Sequence, residues 1–317
     1  LRDLFSHLTP RLWQKPLSGQ GSAYRSKARL GVRFVAKRNK TLVGFRETAN
    51  SFIADVSRCD ILVPPLGDFL EPLSQLIDRF AEPSMIPQIE VAAGEGRAAL
   101  VIRHLAGLPE EDLLALAAFA EQHEVLIFLQ PGGTDSVRFF APQGEESLLS
   151  YSLNDQNLKF LFHPLEFTQI NQPINQLMVN QALALLRTDA GDRVLDAFCG
   201  IGNFSLAIAQ QVAFVTGLEG SEVSVARARQ NATSNNVANV IFEYCDLYGT
   251  QLPQIEDGGY NKVLLDPPRS GAEDFCKALA ASDVERVVYV SCNPKTLVRD
   301  SEVLTSGGFD FDSIGMI

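Results

Sequence analysis

The chain reads as an α/β protein: a doubly wound parallel sheet in its C-terminal half, preceded by a smaller α+β domain. Three observations predict this. From about residue 171 onward, strand-like and helix-like runs alternate at short spacing, the rhythm of a parallel sheet with helices on both faces. Before about residue 160 the pattern is instead short strands with a few helices. The length of 317 residues corresponds to roughly two domains at about 150 residues each. The boundary is placed near residue 160, giving a central α+β domain over 1–160 and a second domain over 161–317.

In the first domain, Arg29 to Ala36 and Thr41 to Arg46 are strand-like around the polar turn Lys37–Lys40. Leu66 to Phe80 has helical apolar spacing after Pro64–Pro65, and so does Pro109 to His123. Val125 to Gln130 is an apolar run stopped by Pro131-Gly132-Gly133, hence a strand and a turn. Val137 to Phe140 and Leu158 to Phe162 are further strands.

The second domain opens with a helix over Pro173 to Arg187 and a buried strand over Arg193 to Phe198. A helix through Gln211, strand Phe214 to Glu219, helix Ser221 to Ser234 and strand Val240 to Tyr244 follow. Strand Lys262 to Leu265, helix Ala272 to Ala281, strand Arg286 to Ser291 and helix Lys295 to Leu304 complete the pattern.

Composition narrows the class. With 46% hydrophobic and 21% charged residues, disorder and low complexity are disfavoured. No apolar run approaches the roughly 20 residues of a membrane span, and the first residues resemble no signal peptide. No membrane role and a cytoplasmic location are expected. The net charge of −11 hides an asymmetry: residues 1–58 hold 12 Lys/Arg against 3 Asp/Glu. A local basic face can hold a phosphate backbone on an acidic protein, and Arg25, Lys27, Arg29 and Arg33 alternate as neighbours on one face of a strand do. Phe139–Phe140 and Phe160–Phe162 read as core. The 4 histidines lack metal-ligand spacing. Five irregularly spaced cysteines offer no disulfide framework; Cys199, Cys245 and Cys276 read as small buried hydrophobes.

Ligands of open α/β sheets bind beyond the carboxyl ends of the strands, and the informative residues stand there. Gly200-Ile201-Gly202-Asn203 follows the first strand, and Glu219 closes the second, placed to accept both hydroxyls of a ribose. A dinucleotide fold needs a third glycine, where this chain has Ser205. Asp196, just before the loop, sits poorly beside phosphate but well beside a cationic amino-acid group. The set favours S-adenosylmethionine, with a nicotinamide cofactor as the alternative.

Ser291-Cys292-Asn293-Pro294 ends a strand and opens a helix, where the partial positive charge of the helix N-terminus favours a thiolate. Asp266-Pro267-Pro268-Arg269 ends the neighbouring strand. An aromatic residue after the prolines would suggest methylation of an exocyclic amine; Arg269 argues for another target atom. A thiolate beside a methyl donor suits carbon 5 of uridine, which becomes nucleophilic once a thiolate adds at carbon 6.

These residues resemble the RNA uracil-5-methyltransferases, in particular those acting on bacterial large-subunit (23S) ribosomal RNA. The resemblance is carried by Phe167-Thr168-Gln169-Ile170-Asn171, Val194 to Phe204, Gly217-Leu218-Glu219-Gly220, Leu264 to Arg269 and Val290 to Pro294, and more weakly by Tyr24 to Arg29 and Val43 to Arg46. It implies a Rossmann-like class I methyltransferase domain at 161–317. It also implies Cys292 as nucleophile and Gln169, Phe198, Asn203, Glu219, Asp246 and Asp266 as S-adenosylmethionine contacts. Position 246 is Asp where the ribosomal enzymes may carry Asn. A monomer acting on ribosomal RNA is expected, with the first domain touching RNA while the target base leaves its stack. A transfer-RNA uridine, or a catalytically incomplete RNA-binding fragment, are the alternatives. The resemblance places the proton-abstracting Glu after Met316, in a segment this chain does not reach. It matches Cys59 to the fourth cysteine of a 4Fe-4S cluster whose other ligands lie before Leu1, so no metal is expected in this chain.

Overall fold

In the computed structural model, which describes all residues except 49, 51, 145–146, 249–254 and 256–257, the chain separates into two units. The first comprises Gly19–Tyr151 and Leu161–Pro173; the second comprises Leu1–Ser18, Ser152–Phe160 and Ile174–Ile317. The division therefore crosses the chain more than once. Its physical reason at the N-terminus is a short parallel pairing of β1 (Leu12–Trp13) with a strand at Ser313–Ile314, which ties the first residues to the second unit.

The first unit is built on β2 (Lys27–Val35), β3 (Lys40–Gly44), β4 (Gln88–Gly94), β5 (Arg97–Arg103), β6 (Val125–Gln130) and β7 (Arg138–Ala141), with α1 (Leu70–Ile77) and α2 (Glu110–His123). The sheet order is β3-β2-β4-β5-β6-β7, antiparallel except for the β5–β6 pair, which α2 connects. Period-two alternation decides its faces: Ala28, Leu30 and Val32 point into a core shared with Leu70, Leu73 and Ile77 of α1. At Gly31 a Cβ would stand 2.3 Å from the Ile53 Cδ1, so a larger residue there would push the end of that side chain aside. The hairpin β4–β5 carries no clear strand signal in the sequence, because Ala92, Ala93, Ala98 and Ala99 around its turn dilute the β-branched Ile89, Val91, Val101 and Ile102. The apolar stretch expected as one helix over Leu66 to Phe80 is a single 3₁₀ turn at Leu66–Phe69 followed by the shorter α1.

A two-stranded pair, β8 (Leu149–Leu153) and β9 (Leu158–Phe162), follows in the chain, and the division between the units falls within both strands. Phe160 and Phe162 are buried as core, whereas Phe139 and Phe140 are half-buried. Then come α3 (Gln172–Leu186), β10 (Arg193–Ala197), α4 (Ser205–Ala209), β11 (Phe214–Glu219), α5 (Glu222–Ser234), β12 (Val240–Tyr244), β13 (Lys262–Leu265), α6 (Glu273–Ala280), β14 (Arg286–Tyr289), α7 (Pro294–Ser306) and β15 (Ser313–Ile314). The sheet is parallel throughout, in the order β12-β11-β10-β13-β14. Val263, Leu264 and Leu265 are all 0% exposed, so consecutive residues are covered on both faces, as a doubly wound sheet demands. Strand order reverses between β10 and β13, the switch point at which such sheets open a ligand crevice.

The opposite edge of that switch point is held by charge. Lys262 at the start of β13 donates from Nζ to Asp192 Oδ2 at 2.5 Å and to the Arg187 carbonyl at 2.6 Å. Asp192 also accepts from Asn261 and from the Asp189 backbone. Burial opposes ionisation of Asp192, but Lys262 and these donors outweigh it and hold the carboxyl below its ordinary value. Lys262→Ala leaves that carboxylate buried without its cation, so urea denaturation should show a loss of about 3–5 kcal/mol. Lys262→Met combined with Asp192→Leu should cost far less, because no charge is stranded.

Candidate active site

The turn after β10 carries the site. Phe198 adopts φ +66° and Gly200 and Gly202 adopt φ +55° and +91°. The left-handed backbone at Phe198, a residue with a Cβ, costs about 1–3 kcal/mol. A Cβ added at Gly200 would meet nothing within 4 Å, so its backbone borders open space that a ligand can enter. The Gly200 N–H donates to Glu219 Oε2 at 3.0 Å, fixing the carboxylate at the end of β11. Asn203 exchanges two amide hydrogen bonds of 2.9 Å with Asn175 on α3.

Asp196 is 0% exposed. Its Oδ2 accepts from the Ser205 hydroxyl at 2.5 Å, which accounts for a serine at the position where a dinucleotide motif has glycine. Its Oδ1 is buried without a hydrogen-bond partner. Burial, then the nearby charges of Asp266 and Glu219, push its carboxyl up to about 7 against the Ser205 hydrogen bonds. Asp266, at the end of β13, is pushed up to about 7 by burial as well. The buried, incompletely satisfied Asp196, the open glycine backbone and the fixed Glu219 fit a ligand bearing a cationic group and a ribose. The donor set thus suits S-adenosylmethionine better than a pyrophosphate.

Asp246 is exposed and accepts from the Tyr248 N–H at 3.1 Å. The Phe198 ring lies 5.6 Å from Tyr248 and 6.4 Å from Phe275. Tyr248, which sequence reasoning missed, also donates to the Gly271 carbonyl at 3.0 Å, linking the Asp246 loop to the segment after Asp266.

Cys292 is exposed, between the end of β14 and Asn293. The Asn293 side chain caps α7 by accepting from the Lys295 N–H at 3.1 Å, while its Nδ2 donates to the Arg269 carbonyl at 2.9 Å. The thiol borders a groove of about 850 Å³ whose walls include Val290, Leu297, Phe311 and Met316 but neither Gly200 nor Glu219. Cys199 and Cys276 are buried, as expected of packing residues, and burial pushes both thiols up. Cys245 is only half-buried.

Gln169 belongs to the first unit, and the other cofactor candidates belong to the second; the Gln169 carbonyl accepts from Gln172. Cys59, also there, donates its N–H to the Gly67 carbonyl at 3.0 Å. Among the described residues no group of three or more His, Cys, Asp or Glu stands where it could hold a metal. On β2, Arg29 and Arg33 are exposed, but Lys27 turns to the Glu166 carbonyl and burial brings its ammonium down to about 8. The expected single basic face is thus shorter than strand alternation suggests.

A parallel sheet switching between β10 and β13, with a glycine turn and carboxylates at its carboxyl ends, defines the class as an S-adenosylmethionine-dependent methyltransferase fold. The solved tRNA (uracil-54, C5)-methyltransferase of Pyrococcus abyssi, in complex with S-adenosyl-L-homocysteine, superposes with a TM-score of 0.71 over 96% of this chain and 74% of its own, at 21% identity. The family described as tRNA (Uracil-5-)-methyltransferase matches residues 145–307. The 23S rRNA (uracil(1939)-C(5))-methyltransferase RlmD of Hahella chejuensis (strain KCTC 2396) is 46% identical over 318 residues, covering 99% of this chain and 71% of that protein. Its counterpart in Legionella pneumophila (strain Corby) is 44% identical over 308 residues, covering 96% and 69%. The chain belongs to the RNA uracil-5-methyltransferase family. Among the described residues no helix is long and apolar enough to cross a membrane.

Asp196 supplies a pH test of this geometry. Its raised native carboxyl keeps its proton up to about 7, while the unfolded chain releases it near 4. The native state therefore binds more protons between those values, and stability falls as pH rises through them. Asp196→Asn should gain on the wild type by on the order of 3 kcal/mol between pH 4 and pH 8, read from urea unfolding. A difference independent of pH would contradict the assigned environment.

Proposed function

We propose that this chain transfers a methyl group from S-adenosylmethionine to carbon 5 of a uridine in 23S ribosomal RNA, as a monomer in the cytoplasm. The observation that carries the reading is the placement of Cys292 beside the Asp266 loop at the carboxyl ends of adjacent strands, tied by Asn293 to Arg269. The 46% identity to a relative named for that reaction supports the ribosomal target.

In this reading Glu219 takes the ribose, Phe198 and Asp246 flank the adenine, and Asn203 and Asp266 complete the cofactor contacts. When bound, S-adenosylmethionine supplies an electrophilic methyl group. The Cys292 thiolate forms a bond to carbon 6 of the uracil, and the π electrons of the carbon 5–carbon 6 bond move toward the carbon 4 oxygen. Carbon 5 of the resulting enolate takes the methyl group as the methyl–sulfur bond of the sulfonium breaks, its electron pair staying on the sulfur of S-adenosylhomocysteine. A general base then removes the carbon 5 proton, and the electrons left behind expel the thiolate. Extraction of the base from its stack precedes addition, with Arg29 and Arg33 on the first unit holding phosphate. In the wider protein, Cys59 would serve as one ligand of an iron–sulfur cluster.

Tritiated methyl donor, incubated with a 23S ribosomal RNA fragment and separately with transfer RNA, should label the ribosomal fragment. Cys292→Ala should lose that label completely but keep cofactor affinity within about twofold, because the thiol acts on the base. Glu219→Gln should instead weaken cofactor binding by roughly tenfold, as loss of a charge-assisted pair does. Labelling of transfer RNA alone would move the target, and label persisting in Cys292→Ala would remove the nucleophile.

A further inference from the structure

Asp300 lies on α7, two turns beyond Cys292, and is 0% exposed. A carboxylate buried this completely needs compensating donors, and Asp300 has them from three separate segments. Tyr289 at the end of β14 donates its hydroxyl to Oδ2 at 2.6 Å, and the Ala272 N–H donates to the same oxygen at 2.7 Å. Arg299 reaches Oδ1 from Nε at 2.8 Å. The same guanidinium donates to the Ser270 carbonyl at 2.9 Å. Thr296, one turn earlier, donates to the Arg269 carbonyl at 3.3 Å.

These bonds converge on one stretch of backbone, Arg269 to Ala272, which continues the Asp266-Pro267-Pro268 segment. Gly271 shows how closely the stretch is held. It adopts φ +75°, and a Cβ there would lie 2.5 Å from Asp300 Oδ2 and 2.9 Å from the Thr296 Cβ. Only glycine permits both the left-handed turn and this approach. Asp266 stands at one end of the clamped stretch, and Cys292 lies between Tyr289 and the capped start of α7.

We propose that Asp300 is a positioning residue, which clamps the Arg269–Ala272 stretch against α7 and β14 and so fixes the Cys292 loop relative to Asp266. The proposal rests on the methyl-transfer reading for its catalytic consequence but not for its geometry. Asp300 touches no reacting atom; it acts through Tyr289, Arg299 and the backbone of residues 270–272. A loose nucleophile loses rate steeply, since misplacement by about 1 Å costs up to roughly a hundredfold.

The test uses the near-isosteric Asp300→Asn and Tyr289→Phe, with Gly271→Ala as a third variant that attacks the clamp from its other side. RNA carrying 5-fluorouridine at the target traps the carbon 6 adduct after methyl transfer, because the fluorine replaces the proton to be removed. Each variant should form that adduct about tenfold or more slowly, with cofactor affinity within twofold of wild type. Hydrogen–deuterium exchange should accelerate together in peptides spanning 267–276 and 289–298, a readout that needs no RNA. Adduct rates within twofold of wild type in folded Asp300→Asn and Tyr289→Phe would overturn the proposal, as would adduct and cofactor affinity falling in parallel. Wild type forming no adduct would defeat the methyl-transfer reading, and the exchange data would then decide the clamp by themselves.

Discussion

The second unit is organised around an electrostatic problem: three carboxylates, Asp196, Asp266 and Glu219, gathered at the carboxyl ends of β10, β13 and β11. Burial does most to raise the Asp196 carboxyl, and the charges of the other two add to it. No fold gains stability from that arrangement in isolation. The sheet tolerates it because the switch point between β10 and β13 is where the layers part, and because Ser205 and the Gly200 N–H take up part of the charge. A cationic ligand resolves the remainder, which is why the same residues that destabilise the empty fold at neutral pH define its binding preference.

Opposite this edge, the sheet is held by the buried Asp192–Lys262 pair. The contrast is instructive. At the amino ends of the strands each buried charge has its partner, so the edge is a structural clasp. At the carboxyl ends the charges repel, and the backbone is strained at Phe198. Strain and unsatisfied charge at one edge, closure at the other, separate the working face from the supporting one.

Much of the second unit was legible in the sequence, because parallel strands buried on both faces leave dense apolar runs such as Val263-Leu264-Leu265 between turn signals. The positions of the candidate residues were legible for the same reason: Asp196, Glu219, Asp266 and Cys292 stand at or just beyond the ends of those runs. The β4–β5 hairpin was missed, since Ala92, Ala93, Ala98 and Ala99 fit helix and strand alike. The assignment of Leu1–Ser18 to the second unit depends on the pairing of Leu12 with Ser313, a long-range contact that no local pattern encodes. Asp300 could have been suspected, because it falls with Leu297, Ser301 and Leu304 on one stripe of α7, where a charge must be buried. Tyr248 gave no comparable signal. The groove beside Cys292 likewise depends on segments far apart in sequence and could not be read from any one of them.

The methyl-transfer reading requires a sulfonium donor across the carboxyl ends of β10 and β11 with its reactive end toward Cys292. A co-crystal structure with S-adenosylhomocysteine addresses it directly. The ribose hydroxyls should lie on Glu219, the amino-acid end against Gly200 and Gly202, and the sulfur should turn toward Cys292. Density for the ligand in any other crevice, with the Gly200–Glu219 hydrogen bond and the Asp196 surroundings untouched, would contradict it.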